Sequence, residues 1–168
     1  MPRSAKSRAR RSPATKSLAS LALCTAILPL GAATAQTVVQ QPTPPAANAT
    51  PHPWTAPASG PAHLPQLLLR SDAHGMPGKE LRVFKTTYPP GAINTKHFHT
   101  SHVIFYILEG SGVWQEEGQP PVTLKPGDVL LTKPGTVHAH WNPSKTDNLV
   151  FSEVVIVDQG MRSTVKTP

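Results

Sequence analysis

From about residue 66 onward, apolar and polar positions follow one another in short runs that never settle into a helical period. No window keeps its apolar residues at the 3.6-residue spacing of an amphipathic helix. Bursts rich in β-branched, aromatic and leucine residues recur instead, and they predict strands over 67–69, 80–88, 97–99, 103–108, 112–115, 122–124, 128–132, 137–141 and 149–157. Turn-forming residues separate them, at Pro89-Pro90-Gly91, Glu109-Gly110-Ser111-Gly112, Gly118-Gln119-Pro120-Pro121 and Lys125-Pro126-Gly127-Asp128. Short strands with turn signals about every eight to twelve residues predict an all-β sandwich or barrel. The run 149–157 is apolar apart from Ser152 and Glu153, which suits a central strand or one used in subunit packing.

The chain before residue 66 has a different texture. Residues 1–35 begin with six cations and no acid, continue through an apolar run from Leu18 to Leu30, and end at Ala33-Thr34-Ala35. That is the pattern of a secretory signal peptide with a long basic leader, and it predicts a periplasmic or secreted protein with no stable membrane insertion after cleavage. The apolar run is short for a membrane span. Residues 36–65 are rich in proline, alanine and threonine, and Pro42 to Pro65 contains no charged residue. This segment is expected to be a disordered, extended linker, with His52 and His63 as stray histidines in it. Residues 66–168 remain for one small β domain.

Charge changes the picture only once the leader is set aside. The whole chain carries 16 Lys and Arg against 9 Asp and Glu. Six of those cations lie in the leader, so the remainder is close to neutral, and nothing in it suggests a nucleic-acid partner. The one cysteine, Cys24, also lies in the leader, which removes thiolate chemistry and disulfides from the mature domain.

The candidate chemistry is concentrated between Gly91 and Asn142. His97 and His99 alternate on one predicted strand and so share a face. His138 follows a Pro134-Gly135 turn, and His140 sits two residues further on, on the same face of a regular strand. Three imidazoles on neighbouring strands suit a divalent ion such as Fe, Mn, Ni or Zn. The spacing resembles the two motifs of the cupin superfamily. The first reads G-x5-H-x-H-x3-4-E-x6-G, met by Gly91, His97, His99 and Gly110, with Val103 where the glutamate belongs. The second reads G-x5-P-x-G-x2-H-x3-N, met by Gly127, Gly135, His138 and Asn142, with Lys133 in place of the first proline and Pro134 beside it.

This resemblance implies a double-stranded β-helix, the jelly roll, with His97, His99 and His138 as metal ligands. Val103 has no donor atom, so a fourth ligand would be His102 or His140. Strict alternation turns His102 away from His99, and only a bulge would bring it back. His140 is also the candidate catalytic residue, as a proton-transfer group above the metal. Neutral histidines without the carboxylate leave a divalent ion at its full charge, which favours an anionic, chelating or enolic ligand. The class implied is a non-haem metal-dependent dioxygenase. The alternatives are a noncatalytic small-molecule-binding or sensing cupin and a sugar isomerase or epimerase. Resemblance also implies a homodimer. Nothing in the chain matches a nucleophile elbow, a P-loop or a dinucleotide-binding unit.

Overall fold

The computed structural model describes Val38, Val39 and residues 50–168. The expected signal peptide and most of residues 36–49 lie outside the described residues. The described residues form eleven strands: β1 (Val38–Val39), β2 (Leu64–Asp72), β3 (Lys79–Tyr88), β4 (Ile93–His99), β5 (Val103–Glu109), β6 (Gly112–Glu116), β7 (Val122–Leu124), β8 (Val129–Thr132), β9 (His138–Trp141), β10 (Leu149–Asp158) and β11 (Thr164–Lys166). Among the described residues there is no helix, so none is long and apolar enough to cross a membrane.

The strands form two sheets. One is ordered β1-β8-β5-β10-β3-β2, the other β11-β4-β9-β6-β7. All pairings are antiparallel except β1 with β8. The two-residue period of a strand decides what each sheet turns inward. In β5, Val103, Phe105 and Ile107 are buried while Ile104 and Leu108 are exposed; in β10, Phe151, Val155 and Val157 are buried. These side chains meet Tyr88, Trp114, Leu124 and Leu130 in a single apolar core. The core is aromatic-rich, with Phe105 tilted against both Trp114 and Phe151 at centroid distances of 5.4 and 5.6 Å.

The motif residues outside the histidines are structural. Gly110 has φ +71°, and a Cβ there would collide with the carbonyl oxygen of Asn148, so the turn after β5 requires glycine. The Asn142 side chain is fully buried and donates to the carbonyls of Tyr88 and Asp147 at 2.9 and 2.7 Å, while its Oδ1 accepts from Ser144 N at 2.9 Å. It pins the end of β9 to the end of β3.

Residues 50–60 differ from the free linker expected there. The buried side chain of Gln115 accepts from the backbone and hydroxyl of Thr55, at 2.9 and 2.8 Å, and donates to the carbonyls of Pro53 and Gln119, at 2.9 and 3.1 Å. His52 pairs with Gly118 through its backbone, and Lys96 stands over the Trp54 ring at 4.6 Å. The proline-rich chain is thus held across the second sheet by polar groups that its lack of apolar periodicity did not reveal. This cover is consistent with the burial of all four residues of β9.

Candidate metal centre and adjoining recess

Four histidines converge on the inner face of the second sheet. His97 and His99 come from β4, His138 and His140 from β9, and all four are at most 5% exposed. Alternation accounts for each pair, and register brings the pairs together: His97 lies opposite His138 and Asn94 opposite His140. Between those two pairings β4 holds one residue more than β9, a bulge around Thr95 and Lys96. The extra residue breaks the parity of β4, so Asn94 reaches His97 although the two are three apart, with Asn94 Nδ2 at 3.2 Å from His97 Nε2.

Backbone carbonyls orient the rings. Nδ1 of His97 lies 2.7 Å from Thr95 O, and Nδ1 of His138 lies 2.8 Å from Thr136 O. A carbonyl only accepts, so Nδ1 carries the proton in both rings and Nε2 keeps its lone pair. His99 has Nδ1 3.4 Å from Thr164 Oγ1. The Nε2 atoms of His99, His138 and His140 are buried without a hydrogen-bond partner. An unpartnered buried polar atom costs about 1–3 kcal/mol, and three in one place call for an explanation.

Burial holds all four rings neutral. It lowers the pKa of His97 to about 3, of His99 to about 4 and of His138 to about 2, and it holds His140 well below its usual value. Repulsion from neighbouring imidazoles adds to the effect for His97, His138 and His140. Neutral imidazoles with bare nitrogens are the form that binds a metal. Ligand atoms of His97, His138 and His140 lie within 4.8 Å of one another, close enough to share one ion. His99 stands beside this trio, its ring centroid 5.1 Å from His97 and 5.0 Å from His138. Trp114 stacks on His138 at 4.0 Å and on His140 at 5.3 Å, forming an aromatic wall of the site.

The structure separates the two candidates for a fourth position. His140 is in the cluster. His102 is exposed and lies outside it, because β5 alternates regularly from Val103 to Ile107 and buries Val103 at 1% exposure. The irregularities of the flanking strands fall elsewhere, around Thr95 and Lys96 in β4 and at Leu108 in β5. Val103 packs in the apolar core, so the motif's glutamate position contributes nothing polar.

Three residues that sequence reasoning passed over line a recess of about 250 Å³ beside the cluster, together with His99, His140 and Asn94. His63, set aside as a linker histidine, stacks on Tyr88 at 4.9 Å. Glu153 reaches the recess from β10 in the opposite sheet and accepts a hydrogen bond from Thr86 Oγ1 at 3.2 Å. Burial raises its pKa to about 7, partly offset by the Thr86 bond. Lys166 comes from β11, and burial lowers its pKa. The one legible signal was Glu153, a lone acid at inward parity with Phe151, Val155 and Val157.

Residues 84–157 match the sequence profile of the cupin domain. That stretch is a cupin domain, and structural neighbours of the chain are cupin proteins. A cupin-like protein from Thermotoga maritima is similar in structure at 25% identity and a TM-score of 0.51, covering 68% of this chain and 86% of that one. The DMSP lyase DddQ from Ruegeria pomeroyi shares the fold at 23% identity and a TM-score of 0.50, covering 63% of this chain and 52% of that one. No curated protein sequence matches this chain significantly.

Proposed function

We propose that this is an exported cupin in which His97, His99, His138 and His140 hold one divalent metal ion that binds a small anionic, chelating or enolic molecule. The observation that carries the reading is the convergence of four buried neutral imidazoles, three with an Nε2 that meets no protein partner. The donor set has no carboxylate, so a bound ion keeps its full +2 charge and attracts an anion that can share it. The ion would act there as a Lewis acid and, if it is iron, would support dioxygenase-type oxidation. The chain's own contribution is to exclude water with Trp114 and Phe105 and to set the tautomers of His97 and His138 through Thr95 and Thr136.

A noncatalytic binding or sensing role is the second reading, and the burial of Val103 in the core favours it. Four imidazoles on a tetrahedral zinc ion would close its coordination, whereas a six-coordinate iron, nickel or manganese ion would keep two positions for ligand. A sugar isomerase or epimerase is the third reading, for which Glu153 supplies an acid/base group beside the imidazoles.

Export to the periplasm or beyond rests on residues 1–35 as a signal peptide, with 36–65 preceding a domain at 66–168. Pairing of two copies is supported by the exposed Leu64, Leu67, Leu68 and Leu69 on the edge strand β2.

Metal content of the untagged full-length protein, measured by mass spectrometry after purification without chelator, tests the central claim. Near-stoichiometric metal that disappears in a His97→Ala/His138→Ala double variant is expected. A metal-free preparation that takes up no iron, nickel, manganese or zinc on addition refutes it.

A further inference from the structure

Lys166 and Glu153 face the same recess from different sheets. Lys166 Nζ donates to Asn94 Oδ1 and, at 3.3 Å, to Thr95 Oγ1. An ammonium has three N–H donors, so one donor and the full charge are left over. Among the described residues no carboxylate forms an ion pair with Lys166. Glu153 lies opposite Phe105 and Phe84 in the strand register, and its neighbours at the same parity, Phe151 and Val155, are core residues. A carboxyl group placed among such residues, with a threonine hydroxyl as its hydrogen-bond donor and no cation, is not there for packing.

The recess between them has about 250 Å³, a little below the roughly 300–1,000 Å³ of drug-sized sites, so it fits a molecule of few heavy atoms. Its inner wall is His99 and His140, and His63 closes another side. A molecule seated here shares the recess with a cation and a carboxyl group from different sheets and with imidazoles.

We propose that the recess binds a small hydroxy- or oxo-carboxylate, with Lys166 taking its carboxylate and Glu153 hydrogen-bonding its second oxygen. The inference deepens the metal-site reading and rests on it for the role of the inner wall. Because burial brings the Glu153 carboxyl to the point where it is protonated in part of the molecules near neutral pH, it can donate to a carbonyl or accept from a hydroxyl. Lys166 and Glu153 would therefore define which small anion is taken, beyond any affinity that an ion lends.

The test is calorimetric titration of the full chain with L-lactate, its uncharged methyl ester, and propionate, which lacks the second oxygen. Metal content is measured on every sample. Lactate is expected to bind at least tenfold more tightly than either relative. Lys166→Met is expected to weaken lactate and propionate alike by tenfold or more, with Lys166→Arg retaining most of the affinity. Glu153→Leu is expected to weaken lactate tenfold while leaving propionate unchanged, with Glu153→Gln, which keeps a hydrogen-bonding group, intermediate. Melting curves confirm that each variant is folded. Lactate binding no better than that of the ester, or unaltered by Lys166→Met, overturns the inference. If Lys166→Met keeps its metal and its anion affinity, the recess proposal fails and the metal site stands. If no sample holds metal or takes it up on addition, and lactate binding still depends on Lys166, the recess proposal stands and the metal reading fails.

Discussion

The indole of Trp114 lies flat on the imidazole of His138, with ring centroids 4.0 Å apart and planes 22° from parallel. β6 and β9 are neighbours, and Trp114 pairs directly with His140, so one residue touches both histidines of β9. Trp114 is therefore a built-in reporter of the cluster. Titration with Ni2+ or Co2+ is expected to quench a saturable part of the tryptophan emission. That part is expected to vanish in Trp114→Phe and in His138→Ala, while Trp54 and Trp141 keep theirs. Equal quenching in all three proteins contradicts metal binding next to His138.

The four histidines of the cluster and the one outside it separate cleanly by mutation. His97→Ala and His138→Ala are each expected to lower bound metal to background, since both lie in the ligand trio and their Nδ1 atoms are tied to backbone carbonyls. His140→Ala is expected to weaken binding more than His99→Ala, which stands to the side. His102→Ala is expected to leave metal content unchanged because His102 is exposed on the outer side. Mass spectrometry of the five variants decides it, and loss of metal in His102→Ala rules out the proposed placement.

Stability of the metal-free protein is expected to fall on acidification. The unfolded chain takes up protons on its histidines below about pH 6.5. In the folded protein burial holds His97, His99 and His138 to about 3, 4 and 2, with His140 also held down, so these rings refuse protons that the unfolded chain accepts. Their stabilisation is complete above about pH 6.5 and is lost as pH drops towards the folded values. Glu153 has the opposite sign: with its folded carboxyl raised to about 7, it adds stability as pH falls from there towards the unfolded carboxyl value of 4.5. Four imidazoles outweigh one carboxyl. Thermal melts from pH 5 to 8 are expected to show their highest midpoint near neutrality, and a midpoint that climbs steadily to pH 5 contradicts the assignment.

Gly110→Ala is expected to destabilise the domain by about 2 kcal/mol or more. The positive φ costs an alanine about 1–2 kcal/mol, and the collision with the Asn148 carbonyl adds to it. Urea unfolding gives the value, and an unchanged midpoint with an unchanged slope would show that the turn relaxes freely.

Gln115→Ala is expected to release residues 50–60 from the second sheet. It removes four hydrogen bonds, three of them to Pro53 and Thr55, and leaves the Thr55 amide and two carbonyls to find new partners. The expected cost is about 2 kcal/mol, with limited proteolysis before residue 64 accelerated severalfold. Equal cleavage rates in the two proteins would show that the clasp contributes nothing.

Local sequence determined a good deal of this protein. A two-residue alternation carries its own geometry, so the runs around Val103–Glu109 and Leu149–Asp158 announced strands, and His97, His99, His138 and His140 announced shared faces. The same alternation turned His102 outward and put Val103 in the core. Glycines at positive φ, such as Gly110, marked the turns. What only the tertiary structure decided depended on pairing between distant strands. The bulge that turns Asn94 towards His97 is a mismatch between β4 and β9, invisible in either strand alone. Lys166 reaches Asn94 across seventy-two positions, and Glu153 comes from the opposite sheet. The clasp on residues 53–55 is made by one buried glutamine about sixty positions away. Periodicity is a property of neighbours along the chain, whereas a cavity is a property of the surfaces that folding brings together.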